Sequence, residues 1–186
     1  MEIIVGVSGA SGVIMAQYLL RALRAAQVRT HLVLTDAAKS TWGLETGRPL
    51  SELTDISDIV YDGADIAARI SSGSFVTDGM IVMPCSMKTL AGIVSGYTDN
   101  LLLRAADVCL KEGRQLVLCP REMPLGRVHL RNMLTASELG CAIIPPMLTF
   151  YNMPQSVEDE INHVVGKVLL RFGLQSPDFV AWDGVR

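Results

Sequence analysis

The sequence predicts a single-domain α/β fold, a doubly wound parallel sheet with helices on both faces. Three observations carry that expectation. Short β-branched, apolar runs alternate with segments of helical spacing almost throughout the chain. The runs are apolar at successive positions, as strands buried on both faces are. The chain has 186 residues, 49% of them hydrophobic, enough for one substantial core and too many for a disordered chain.

Ile3-Ile4-Val5-Gly6-Val7 reads as the first buried strand. Residues 13–26 follow with helical spacing, and Ser11 is a candidate N-cap. Residues 30–34 form a second strand, and residues 37–46 a helix with Asp36 near its start. The stretch 47–77 is weakly patterned and reads as loops, with a short strand near Ile59 and a short helix near 66–70. Residues 79–84 are a third clear strand, followed by helices over 86–95 and 101–110. A strand over 115–119 is closed by Pro120, and a helix over 128–139 stops at Gly140. Residues 141–145 are the last strand. The final helix, 156–172, opens with Ser156 and Asp159 in near capping-box spacing. One domain spanning 1–186 is expected. Ligands of such sheets bind outside the carboxyl ends of the strands.

Net charge is −3, from 16 basic and 19 acidic residues, which gives no drive toward nucleic acid or an anionic membrane surface. No signal-peptide pattern is present, and no apolar run reaches the roughly 18 residues that span a bilayer. A cytoplasmic protein is therefore expected. Cys85, Cys109, Cys119 and Cys141 form no C-x-x-C pair and read as buried free thiols. His31, His129 and His163 match no nucleophile motif and read as structural. No metal site is expected.

Three strand ends carry candidate chemistry. The first strand runs into Ser8-Gly9-Ala10-Ser11-Gly12 and opens a helix. Glycines admit close backbone approach, and a helix N-terminus offers free N–H groups to an anion. A tight turn without ligand is the alternative. The spacing is neither G-x-G-x-x-G nor a P-loop, and Asp36 only weakly answers the acidic residue that NAD binding requires. The third clear strand ends in Pro84-Cys85-Ser86-Met87-Lys88-Thr89, again opening a helix. Two such loops on one sheet suit a nucleotide-sized ligand. Pro120-Arg121-Glu122 ends a further strand and offers either an anion partner beside a general acid or a plain surface ion pair. Arg104 and Lys111 share a helix face, as one anion site or as solvated charges. Spacing alone assigns nothing to Tyr151 or Lys167.

Taken together, these segments resemble the flavin prenyltransferases of the UbiX type. The resemblance runs from Ile3 to about Gly173. Its carriers include the loops at 8–12 and 84–90, Ser71-Ser72-Gly73-Ser74, Asn100-Leu101 through Val108, Lys111-Glu112, Pro120-Arg121-Glu122 and Phe150-Tyr151. It implies a Rossmann-like fold and metal-independent transfer of a dimethylallyl group from dimethylallyl phosphate to reduced FMN. The group joins flavin N5 and C6, giving prenylated FMN for a UbiD-type decarboxylase in aromatic acid decarboxylation.

By matching position, the resemblance implies that Gly9, Ala10, Ser11, Thr35, Ser86, Met87, Lys88, Thr89 and Arg121 bind FMN. Arg104, Lys111, Arg121, Tyr151 and Lys167 then hold the prenyl phosphate. Many members carry Arg at the position of Lys167, so the bidentate fork is lost there. Glu122 is implied as the acid for the departing phosphate, Ser11 as a proton relay, and Glu45 as a further catalytic position near the flavin. The family forms homo-oligomers, commonly dodecamers, with sites between subunits, so the C-terminal helix is expected at the site or at a subunit interface. An FMN-dependent cysteine-type decarboxylase and a non-catalytic flavin carrier subunit are the alternatives. The cysteine-type class relies on a His near the first helix, which this chain lacks.

Overall fold

The computed structural model describes residues 1–182 and 184, so the expected domain end at Arg186 lies outside the described residues. Within them the elements run β1 (Glu2–Val7), α1 (Ile14–Ala25), β2 (Arg29–Leu34), α2 (Asp36–Thr46), α3 (Ser51–Thr54) and β3 (Ile59–Tyr61). Then follow β4 (Gly79–Cys85), α4 (Met87–Ser95), α5 (Leu101–Lys111), β5 (Gln115–Pro120), α6 (Arg127–Glu138), β6 (Ala142–Ile143) and α7 (Val157–Leu169). The six described strands form one all-parallel sheet in the order β3-β2-β1-β4-β5-β6. This is the expected single-domain, doubly wound α/β fold.

The two-residue period of the strands sorts the core into two layers. Ile3, Val5 and Val7 of β1 face α1, the Trp42 side of α2, and α7. Ile4, Met80 and Val82 face α4, α5 and Ala136 of α6. The chain winds outward from β1 to β3 and then, from β4, outward to β6. The reversal leaves a crevice beside the carboxyl ends of β1 and β4.

Several expectations need correction. The short helix near 66–70 is a single 3₁₀ turn at Arg69–Ser71, and the turn of helix at Ser51–Thr54 was not expected. The last strand shrinks to Ala142–Ile143, because it pairs only with β5 at the sheet edge. The final helix ends at Leu169 and tightens into 3₁₀ geometry over Leu170–Phe172. No described helix is long and apolar enough to cross a membrane.

All four cysteines are free and buried. Burial pushes the thiols up, Cys109 to about 12 and Cys141 to about 11, so none supplies a thiolate at neutral pH. His31 is also buried, with Nδ1 2.9 Å from the Tyr61 hydroxyl and Nε2 3.3 Å from a Glu2 carboxylate oxygen. Burial outweighs Glu2 and holds the imidazole below its usual value. Its contribution to stability is therefore complete above about pH 6.5 and declines as pH falls below that. We expect the melting temperature to drop between pH 7.5 and 5.5, and His31→Gln to flatten that dependence. An equal pH slope in the variant would place the effect elsewhere.

Candidate active site

A cavity of about 480 Å³ occupies the crevice at the switch from β1 to β4. That volume lies within the range of about 300–1,000 Å³ common to small-molecule sites. Gly9, Thr35, Ser86, Lys88 and Thr89, five of the positions that the resemblance implied for FMN, line it. Asp36, Asp62, Gly63, Asp99, Asn100, Leu102 and Leu103 also line it; Asp36 was read as a helix start and a weak NAD residue and Asn100 as a motif position, and none of the seven was expected in a flavin site.

Capping chemistry fixes the walls. Thr35 is the N-cap of α2, and its Oγ1 accepts from the Ala38 N–H at 3.1 Å. Ser86 caps α4: its Oγ accepts from Thr89 N–H at 3.2 Å and donates to Thr89 Oγ1 at 3.0 Å. Ser86 N–H donates to Ser8 Oγ at 2.7 Å, and that hydroxyl donates to the Pro84 carbonyl at 2.9 Å. Ser8 is thus a buried rivet between the first two loops rather than a free donor. The first-turn N–H groups of Met87 and Lys88 make no hydrogen bond to the described residues, and Lys88 makes no ion pair there. The positive end of α4 therefore faces the cavity, with Lys88 also in its lining, where an anion is favoured. The Asp36 carboxylate is taken by Lys39 at 2.8 Å, whereas Asp62 and Asp99, each accepting one local donor through Oδ1, keep a second oxygen as an acceptor in the lining.

A pocket with an anion-binding end and a polar, acceptor-lined wall fits a nucleotide. The family described as Flavoprotein matches this chain over residues 1–172. A probable UbiX-like flavin prenyltransferase of Sedimentibacter hydroxybenzoicus is 56% identical over 187 residues, covering 100% of this chain and 99% of that one. The dodecameric FMN-dependent UbiX-like decarboxylase from Escherichia coli O157:H7 superposes with a TM-score of 0.96 at 55% identity, covering 99% and 100% of the two chains. AnUbiX, solved in complex with FMN and dimethylallyl pyrophosphate, superposes with a TM-score of 0.97 at 47% identity, covering 100% and 98%. The chain belongs to the UbiX-like flavin prenyltransferases, within the flavoprotein family.

Against this family assignment, the remaining expected positions fall into separate places. Ala10 is buried, with its N–H on the Ser8 carbonyl at 2.9 Å, and Met87 packs its side chain into the core below α4. Neither lines the cavity. Ser11 is exposed and does not cap α1, whose N-cap is Val13. Glu45 takes that task instead. Its Oε2 accepts from Gly12 N–H at 2.9 Å and from Val13 N–H at 3.3 Å. The end of α1 is therefore neutralised by a side chain of this protein, and the first loop is not the free anion cradle its pattern suggests. Glu45→Ala should cost about 1 kcal/mol through the lost cap, read as a lower denaturant midpoint with unchanged slope.

Arg121 and Glu122 leave the end of β5 as exposed neighbours, and no ion pair joins them. Arg121 N–H donates to the Cys85 carbonyl at 3.1 Å, which sets it beside the Ser86 loop. Glu122 Oε1 accepts from Met123 N–H at 3.0 Å.

The expected phosphate-binding set is divided within one chain. Arg104 and Lys111 lie on α5, against one sheet face, whereas Tyr151 and Lys167 lie on and beside α7, against the other. Arg104 donates Nε to the Ser71 carbonyl at 3.1 Å and pairs with Asp107 at 2.7 Å. With Arg114, which reaches the Gly73 and Phe75 carbonyls, it pins the Ser71–Ser74 loop. Lys111 pairs with Glu112 at 2.6 Å and lies about 12 Å along the helix axis from the pocket-lining Leu103. Tyr151 bonds His163, and Lys167 sits over the Phe179 ring at 5.6 Å. None of these four lines the cavity. The sheet lies between the two pairs.

Asp62 and Gly63 were missed because β3 is three residues long and weakly patterned. The available signal was the Asp-Gly turn directly after it. The Gly63 carbonyl accepts from Leu101 N–H at 2.8 Å and so joins that turn to the start of α5.

Proposed function

We propose that this protein transfers a dimethylallyl group from dimethylallyl phosphate to reduced FMN, forming bonds at flavin N5 and C6. The cavity at the β1–β4 switch, with the open end of α4 beside Lys88, carries the reading. There the FMN phosphate takes the Met87 and Lys88 N–H groups and the Thr89 hydroxyl, while the flavin lies toward Gly9 and Thr35. Reduced FMN supplies the nucleophilic ring atoms. The protein's part is to hold donor and acceptor together and to stabilise the charge that develops on the departing phosphate.

Arg121, beside the Ser86 loop, meets that phosphate. Glu122 gives it a proton as the allylic C–O bond breaks, and Ser11 relays the proton released on ring closure. Arg104 and Lys111 of one protomer meet Tyr151 and Lys167 of another, since within one chain the sheet separates them. This requires a homo-oligomer with α7 at an interface, and the dodecameric state of the relative supports a homo-oligomer. Exposed apolar side chains support it. Val128, Leu130 and Leu134 stand out from α6, whose sole buried residue is Ala136, and Met147, Leu148 and Phe150 follow β6. We further propose that the product serves a UbiD-type decarboxylase, in a cytoplasm that keeps the four thiols reduced.

The test is anaerobic incubation of the protein with reduced FMN and dimethylallyl phosphate, or the pyrophosphate, followed by mass spectrometry of the flavin. A gain of one isoprene unit with the monophosphate is expected. Bound flavin of unchanged mass with both donors would sink the reading in favour of a carrier subunit.

A further inference from the structure

His163 is buried on α7, yet nothing in the transfer reaction so far uses it. Its Nε2 lies 3.1 Å from the Tyr151 hydroxyl, and the two rings meet edge to face with centroids 5.4 Å apart. Phe179 closes the other side of the imidazole, 5.2 Å between centroids. Its Nδ1 is buried without a hydrogen-bond partner among the described residues.

That unpartnered nitrogen decides the tautomer. A proton on Nδ1 would be a buried orphan donor, which folded proteins rarely tolerate, whereas an under-used acceptor nitrogen is less costly. The proton therefore belongs on Nε2, and the ring donates to Tyr151 Oη. A phenol oxygen that accepts from His163 keeps its own O–H for another acceptor. Tyr151 is 42% exposed, so a ligand can approach the phenol from the solvent side. Burial, with Lys167 adding to it, holds His163 below the usual histidine value, which keeps the ring neutral and its single N–H directed at the phenol. Glu160, one turn earlier on α7, fixes the same segment by accepting from Thr149 N–H at 2.8 Å.

We infer that His163 is a positioning residue for prenyl-phosphate binding: its Nε2–H orients Tyr151 so that the phenolic proton is presented to a phosphate oxygen. The inference rests on the prenyl-transfer reading. Losing the orientation costs the phosphate contact about one ordinary hydrogen bond, which corresponds to about a fivefold rise in KM for dimethylallyl phosphate. FMN affinity does not change, because neither residue lines the flavin cavity.

The test compares His163→Phe, which keeps the ring packing, with His163→Gln, which returns an N–H near Nε2, and His163→Asn, whose N–H falls nearer Nδ1. Each is measured in the wild-type and Tyr151→Phe backgrounds, with the KM for dimethylallyl phosphate and the Kd for FMN as readouts. We expect the Phe and Asn variants to raise KM, Gln to restore it, FMN binding to hold, and His163→Phe to add nothing once Tyr151 lacks its hydroxyl. Equal losses in both backgrounds, or Gln no better than Asn, would overturn the inference. Should the Phe variant fail to fold, the contrast between Gln and Asn decides it. A wild-type protein that transfers no prenyl group would instead defeat the functional reading, and is seen before any variant is made.

Discussion

Glu122→Gln is expected to slow prenyl transfer by about a hundredfold, at the lower end of what a positioned general acid contributes. Gln keeps the oxygen that accepts from Met123 N–H at 3.0 Å, so the loop after β5 retains its shape. It cannot give a proton to the departing phosphate. Arg121 still holds the Cys85 carbonyl, and the residues lining the cavity are untouched. FMN affinity should therefore stay within about twofold. Single-turnover rates with pre-bound reduced FMN separate the step from binding. An unchanged rate would remove Glu122 from the chemistry.

Gly9→Val is expected to abolish most flavin binding for a packing reason. A Cβ at Gly9 would collide with the Ala37 Cβ and come within 2.9 Å of the Ala37 backbone carbon. Backbone cannot swing aside as a flexible side chain can, so either the first loop or the start of α2 must shift. Both are cavity walls, and Thr35 moves with α2. Overpacking of this kind costs about 1–3 kcal/mol, and the distortion should weaken FMN binding by about ten- to a hundredfold. Gly43→Ala on the same helix is the control. Nothing lies within 4 Å of a Cβ there, so it should bind FMN normally and gain about 0.5–1 kcal/mol of stability. Flavin titration and denaturant melts of the two variants check both statements. Normal FMN affinity in Gly9→Val would show that the loop is not a wall of the site.

The fate of the first loop shows where reading by pattern succeeds and where it stops. Its glycines and serines correctly marked a strand-to-helix turn at the ligand edge. The roles assigned to them shifted once neighbours were present. Gly9 is small because α2 presses on it, and Gly12 because its φ is +92°. Ser8 ties two loops together, and the helix end belongs to Glu45, 33 residues away from Gly12. A local motif cannot reveal which distant carboxylate has taken its N–H groups. The Ser86 loop is better served by pattern because its cap is local: Ser86 Oγ accepts from the Thr89 N–H three residues on. Asp62 and Asp99 were invisible for the opposite reason. They stand in irregular segments, and only the folding of β3 and α5 around β1 brings them to one cavity.

Patterns along the chain were enough for the fold class, the strand-to-helix turns at the carboxyl ends of the strands, and a family membership carried by many ordered motifs. Strand and helix periodicity and capping are properties of neighbours in the chain, so they survive in one dimension. Which of the implied residues share a space became visible only in three dimensions. The tertiary fold gathered Gly9, Thr35, Ser86, Lys88 and Thr89 into one cavity. It set Arg104 and Lys111 across the sheet from Tyr151 and Lys167. A parallel sheet covered on both faces separates the helices of one face from those of the other, and no spacing along the chain records which helix went to which side.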